Sequence, residues 1–113
     1  MDLNKIAKQS LEIAYKRHEN GEVNDVTTIN MLKHCAGEVI EATEAYITYD
    51  NFEEPAGKKA LALELADIII CTLIIAAKED IDIEKSVLDA VEKNRKRAEK
   101  FLPKGIEKPC FKE

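Results

Sequence analysis

A chain of 113 residues, 45% hydrophobic but only 5% aromatic, with no Trp and few Gly or Pro, has room for one domain and reads as all-α rather than as a β-sandwich. Its net charge of −5 argues against nonspecific binding to a nucleic-acid polymer. The charge is uneven: from Lys93 onward eight Lys/Arg stand against three Glu, a local +5 that leaves −10 on the residues before it. An acidic body suited to a cation is thus followed by a basic segment suited to a polyanion, although the same segment also reads as a helix end that complements its dipole.

Four helices are expected in chain order, with short connections and no repeat. The first spans roughly 2–20, where Leu3, Ile6, Ala7, Leu11, Ala14 and Tyr15 recur at spacings of three and four. Gly21, in ENGEVND, stops it. The second spans roughly 28–50, with Asp25, Thr27 and Thr28 as candidate N-caps and Ile29, Leu32, Cys35, Ala36, Val39, Ala42, Thr43 and Tyr46 as its stripe. YDNFEEPAGKK, punctuated by Pro55 and Gly57, reads as a loop before a third helix over roughly 58–79. Asp80 or Asp82 can cap a fourth over roughly 82–101, with Val87, Leu88, Val91, Asn94, Ala98 and Phe101 as its stripe; Pro103 and Gly105 end it, and 102–113 form a tail that packs through Phe111. Short links make neighbouring helices antiparallel, so a four-helix-type bundle in one domain, residues 1–113, is the expected architecture.

The third helix and its C-terminal end contain ALELADIIICTLIIAAKED, residues 62–80. A bilayer span needs about 20 mostly apolar residues. The uninterrupted run from Ile68 to Ala77 is half that, and Glu64 and Asp67 interrupt the rest, so no membrane span is expected. A soluble helix this apolar must be covered on most sides. Four helices of this size do not supply enough cover, and a homodimer or homotetramer is expected. Cys35, Cys71 and Cys110 form neither a metal spacing nor an even disulfide set; Cys35 and Cys71 read as core residues. Free thiols and a polar start, MDLNKIAKQS, without a secretory pattern suit the cytoplasm.

The chemistry lies in carboxylates. GEVIEATE on the second helix carries Glu38, Glu41 and Glu44; ELAD on the third carries Glu64 and Asp67. Residues three apart share a helix face, and like charges at that spacing repel, so neither pair is explained by helix stability. If the two helices cross near both pairs, Glu38, Glu41, Glu64 and Asp67 converge; they then raise one another's pKa or recruit a cation. Oxygen donors with no His or Cys expected nearby suit Mg²⁺, or Mn²⁺. Glu44 either joins the cluster or faces solvent. Such a cation bridges phosphate oxygens, and Lys93, Asn94 and Arg97 on adjacent turns of the fourth helix can reach the phosphates; the alternative for these three is an exposed polar face. A di-iron bundle would need two Glu-x-x-His motifs, and neither His18 nor His34 follows a Glu by three.

The order ExxE, then ExxD after 22 intervening residues, then KNRKR resembles the MazG-like all-α nucleoside triphosphate pyrophosphohydrolases across about residues 28–100. The resemblance implies an oligomeric helical bundle that uses Mg²⁺ to hydrolyse an NTP or dNTP to NMP or dNMP plus pyrophosphate, a nucleotide-pool house-cleaning role. It implies Glu38, Glu41, Glu64 and Asp67 as metal ligands, with Glu38 and Glu41 catalytic, and Lys93, Asn94 and Arg97 as phosphate contacts. Many members begin the first motif with two adjacent acids; here Gly37 precedes Glu38, and it is read as a mark of close helix or ligand approach. Base-binding residues are not assigned, with Gln9, Asn30 and His34 as polar candidates. Two other readings stay open: the related phosphoribosyl-ATP pyrophosphohydrolase, and a non-catalytic helical oligomerisation or regulatory module.

Overall fold

The computed structural model describes residues 1–48 and 55–100. Four helices run in order: α1 (Leu3–Glu19), α2 (Thr28–Thr48), α3 (Pro55–Lys78) and α4 (Ile83–Lys100), with no strand among the described residues. The all-α class expected from composition holds. The expected last turn of the second helix at 49–50, Phe101 of the fourth, and the tail 102–113 with Cys110 and Phe111 lie outside the described residues.

Helix ends follow local chemistry. The Asp2 carboxylate accepts from the Lys5 N–H at 3.1 Å and caps α1. At the other end Gly21 adopts φ +76, the Gly21 N–H donates to the His18 carbonyl and the Glu22 N–H to the Arg17 carbonyl. That is a Schellman stop, in which a residue without Cβ takes the left-handed position at no steric cost. Of the three candidate caps of α2, Thr27 does the capping: its hydroxyl accepts from the Asn30 N–H at 3.2 Å and its carbonyl from the Met31 N–H. α3 starts at Pro55, three residues before the expected start, because a proline is tolerated in a first turn that has no partner for an N–H. Its far end repeats the Schellman pattern, with Ile81 N–H to the Ala76 carbonyl, Asp80 N–H to the Ala77 carbonyl, and Asp80 at φ +54. Asp80 therefore closes α3 rather than opening α4.

The chain falls into two compact units, Met1–Ile83 and Glu84–Glu113. In the first, α1 and α2 both pack on α3. The partners run in opposite directions along each pair. Asn4 bonds Asp82 and the Ile83 N–H, while Ala14, further along α1, packs with Ile74, further back on α3. On the other side the Cys71 thiol donates to the Met31 carbonyl, and Glu64, nearly two turns earlier on α3, meets Glu38 and Glu41 further along α2. Both pairs are antiparallel. Small buried residues (Ala7, Ser10, Ala14, Ala42 and Ala76) line these contacts, so the backbones approach closely. Ala14, Val26 and Ile74, flanked by Leu11 and Met31, form the apolar centre. Thr28 Oγ1 donates to the Glu79 carboxylate, and Lys78 Nζ to Tyr15 Oη at 2.8 Å, tying the helix ends together.

The expected stripe of α2 is only partly the buried one. Ala42 is buried and Cys35 half-buried, but Ile29, Leu32, Val39 and Tyr46 are exposed, and the face turned to α3 is Thr28, Met31, Cys35, Glu38, Ala42 and Ala45. α2 is apolar on two sides, and spacing alone does not say which side meets its own chain. α4, described by itself, has no buried residue and holds an exposed Lys85–Asp89 ion pair at 2.8 Å. By length and composition the stretch Gly57–Lys78 of α3 would pass as a membrane span; a core helix satisfies the same measure, and this one carries the acids Glu64 and Asp67.

Candidate metal centre

The α2–α3 register that sets Cys71 beside Met31 also sets the two acid pairs at one height. One carboxylate oxygen from each of Glu38, Glu41 and Glu64 lies within 4.8 Å of the other two. Three acids this close, in a helix pair that excludes much of the water, oppose one another's ionisation. The effect is visible at Glu64. Desolvation, then the charges of Glu41, Glu38 and Asp67, push its carboxyl above the ordinary value of 4.5, and a hydrogen bond with Glu38 adds to this. Glu64 Oε2 is buried without a hydrogen-bond partner. A buried acceptor left without a partner is costly and requires an explanation. A divalent cation answers both the unfilled lone pair and the repulsion, and an all-oxygen donor set is the kind that Mg²⁺ and Mn²⁺ take. The residues present fit such an ion.

Asp67 does not join the three converging oxygens. It is exposed, acts on Glu64 through its charge, and faces, with Glu38, a cavity beside the cluster. Glu44, one turn beyond Glu41, is exposed and outside the trio. Lys93, Asn94 and Arg97 are exposed on α4, in the second unit. Among the described residues Gly37 does not mark a close approach: a Cβ built there meets no atom within 4 Å beyond its own helix turn. Cys35 and Cys71 are free, half-buried and buried respectively. Burial, then a hydrogen bond with Cys35, pushes the Cys71 thiol up to about 12, so it is an inert packing residue.

The cavity measures about 830 Å³ and opens to solvent. Its lining includes the polar His34, Glu38 and Asp67, the apolar Met31, Ile70 and Ile74, and the amides Asn24 and Asn30. An apolar lining with a few placed polar groups is the common form of a small-molecule site, and the volume falls within the usual range. Part of the lining is the 21–26 segment, which the sequence shows only as a helix break. That segment is held by both nitrogens of His18: Nδ1 stands 3.2 Å from the Val23 carbonyl and Nε2 3.1 Å from the Asp25 carboxylate. Asn30 Nδ2 donates to the Asp25 carbonyl at 3.0 Å. His34, weighed in the sequence as a base contact, instead places Nε2 3.0 Å from Glu38 Oε1. The i, i+4 spacing on α2 is the sequence signal for that pairing.

The family described as the MazG nucleotide pyrophosphohydrolase domain matches residues 24–102, a stretch that holds both acid pairs and the basic segment. No curated protein and no solved structure shows a significant match to the chain.

Proposed function

This chain belongs to the MazG nucleotide pyrophosphohydrolase domain family, and from that premise we propose that it is a Mg²⁺-dependent hydrolase that converts an NTP or dNTP to the monophosphate and pyrophosphate. The observation that carries the reading is the convergence of Glu38, Glu41 and Glu64, with Glu64 Oε2 buried and unsatisfied among them. In this reading Glu38, Glu41 and Glu64 would hold the cation, Asp67 would join them by turning in from its exposed position beside the cluster, and Glu38 and Glu41 would also orient the attacking water. Mg²⁺ bound there supplies Lewis acidity toward phosphate oxygens and offsets charge on the pyrophosphate leaving group. The apolar lining of Met31, Ile70 and Ile74 excludes water from the nucleoside, whose phosphates lie by Glu38 and Asp67. Lys93, Asn94 and Arg97, which follow the acid pairs in the chain order of the family motif, are the phosphate contacts we propose from that motif alone. A homodimer or homotetramer working in the cytoplasm completes the proposal.

The test is pyrophosphate release from a panel of NTPs, dNTPs, modified nucleotides and phosphoribosyl-ATP with purified protein and Mg²⁺. We expect release from at least one free triphosphate and its loss in EDTA. Glu38→Gln and Asp67→Asn should each lower kcat/KM by about 100-fold or more, about 2.7 kcal/mol of barrier. Folded protein that is inactive on the whole panel sinks the enzyme reading. Activity on phosphoribosyl-ATP alone moves it to that substrate.

A further inference from the structure

We propose that His34 is a positioning residue that holds the carboxylate of Glu38 in the orientation a cation needs. The inference rests on the metal reading of the Glu38–Glu41–Glu64 cluster given above. His34 lies one helical turn before Glu38 on α2, and its Nε2 stands 3.0 Å from Glu38 Oε1. The Glu38 side chain is 14% exposed and that of His34 59%, so the acid is enclosed while its partner stands open in the cavity lining.

Glu38 needs such a hold. Its neighbours at this height are carboxylates: Glu41 and Glu64 within 4.8 Å, and Asp67 in the same cavity lining. The protonated Glu64 carboxyl shares a hydrogen bond with Glu38, but a cation displaces that proton; without a second donor, repulsion turns a glutamate outward, and its rotamer entropy favours that turn. Gly37, the residue before Glu38, has no side chain to help. An ionised carboxylate only accepts, so the proposed role requires the imidazole proton on Nε2, the nitrogen 3.0 Å from Oε1. A carboxylate has about four acceptor positions, and one bond to His34 leaves Glu38 able to bind a cation as well. Hydrogen-bond partners behind a metal ligand fix its orientation, and their loss typically lowers metal affinity or activity 10–100-fold. His34 is also chemically distinct from the four acids: it can be replaced without removing a donor atom from the ion.

The experiment measures Mn²⁺ alone, by electron paramagnetic resonance of the free ion, titrated into the full chain without nucleotide. Wild type, His34→Ala and His34→Gln are compared, with helicity by circular dichroism recorded for each. Gln places an N–H close to the position of Nε2, so it serves as the conservative variant and as the control for folding. We expect His34→Ala to raise the Mn²⁺ dissociation constant roughly 10-fold or more, and His34→Gln to stay within about threefold of wild type. Mn²⁺ affinity unchanged in a folded His34→Ala overturns the proposal, even if activity falls. Equal weakening in Ala and Gln also overturns it, since the N–H would then not be the cause. Wild-type protein that binds no Mn²⁺ removes the metal reading itself, and this inference with it.

Discussion

Glu64 is the residue at which fold and function conflict. Its carboxyl is pushed above 4.5 by desolvation, by the charges of Glu41, Glu38 and Asp67, and by its hydrogen bond with Glu38. The folded state therefore holds that proton more tightly than the unfolded state does. Without a cation, the stability contributed by protonated Glu64 is complete below pH 4.5 and is lost as pH rises through the higher native value. Glu64→Gln should thus be more stable than wild type at pH 8 in EDTA, with the difference shrinking at pH 4. Its gain on adding Mg²⁺ should be smaller than that of wild type. Urea denaturation at the two pH values, with and without Mg²⁺, reads all of this; a variant equally destabilised at both pH values in EDTA would refute it. Gly37 offers a quieter test at the same scale. With no atom of the described residues beyond its own helix turn within 4 Å of a built Cβ, Gly37→Ala should gain about 1 kcal/mol from helix propensity, read as a higher urea midpoint with unchanged slope.

At the scale of the elements, two helices end by one device with different residues. Gly21 takes the left-handed position after α1, and Asp80 takes it after α3. Glycine enters that region freely, whereas an aspartate does so at some steric cost. Asp80→Gly should therefore stabilise the chain by about 0.5–1 kcal/mol, and Asp80→Val should destabilise it, since a β-branched residue resists φ > 0. Thermal unfolding of the pair checks the order; Asp80→Gly less stable than wild type would show that the carboxylate contributes more than the backbone loses. The helices themselves were legible, because periods of three and four and the Gly, Pro and Asp signals are local. The face that α2 turns to α3 was not legible, because Ile29, Leu32, Val39 and Tyr46 keep the same spacing as Met31, Cys35, Glu38 and Ala42.

At the scale of the molecule, Ile29, Leu32, Val39, Ile40, Tyr46 and Ile47 on α2 and Leu63, Leu65 and Ile69 on α3 are each at least 48% exposed. Burying a large aliphatic side chain stabilises by about 1.5–3 kcal/mol, and an uncovered apolar surface of this extent marks an interaction site. The proposed homo-oligomer would cover it. Sedimentation equilibrium should return two or four times the chain mass of 12.7 kDa, and Ile40→Glu combined with Leu65→Glu should shift the species toward monomer. A wild-type chain that sediments as a monomer at tens of micromolar would leave these faces without their second copy.

Residue types and intervals alone determined the all-α class, the helix limits to within a few residues, and four acids in two pairs on successive helices. Those properties depend on backbone propensity and on neighbours three or four residues away. Only the tertiary structure decided that the α2–α3 register brings Glu38, Glu41 and Glu64 to one height, with Asp67 beside them in a cavity lining. It also made the 21–26 segment part of that lining, whereas the His34–Glu38 contact is local, one turn apart on α2. Register between two helices is settled by which small side chains let the backbones approach, with Ala42 on α2 and Cys71 and Ala76 on α3 among the buried ones here, and that is a property of both surfaces together. The acids that interrupt ALELADIIICTLIIAAKED have their explanation at that level: their partners are distant in sequence and meet them only across the packed pair.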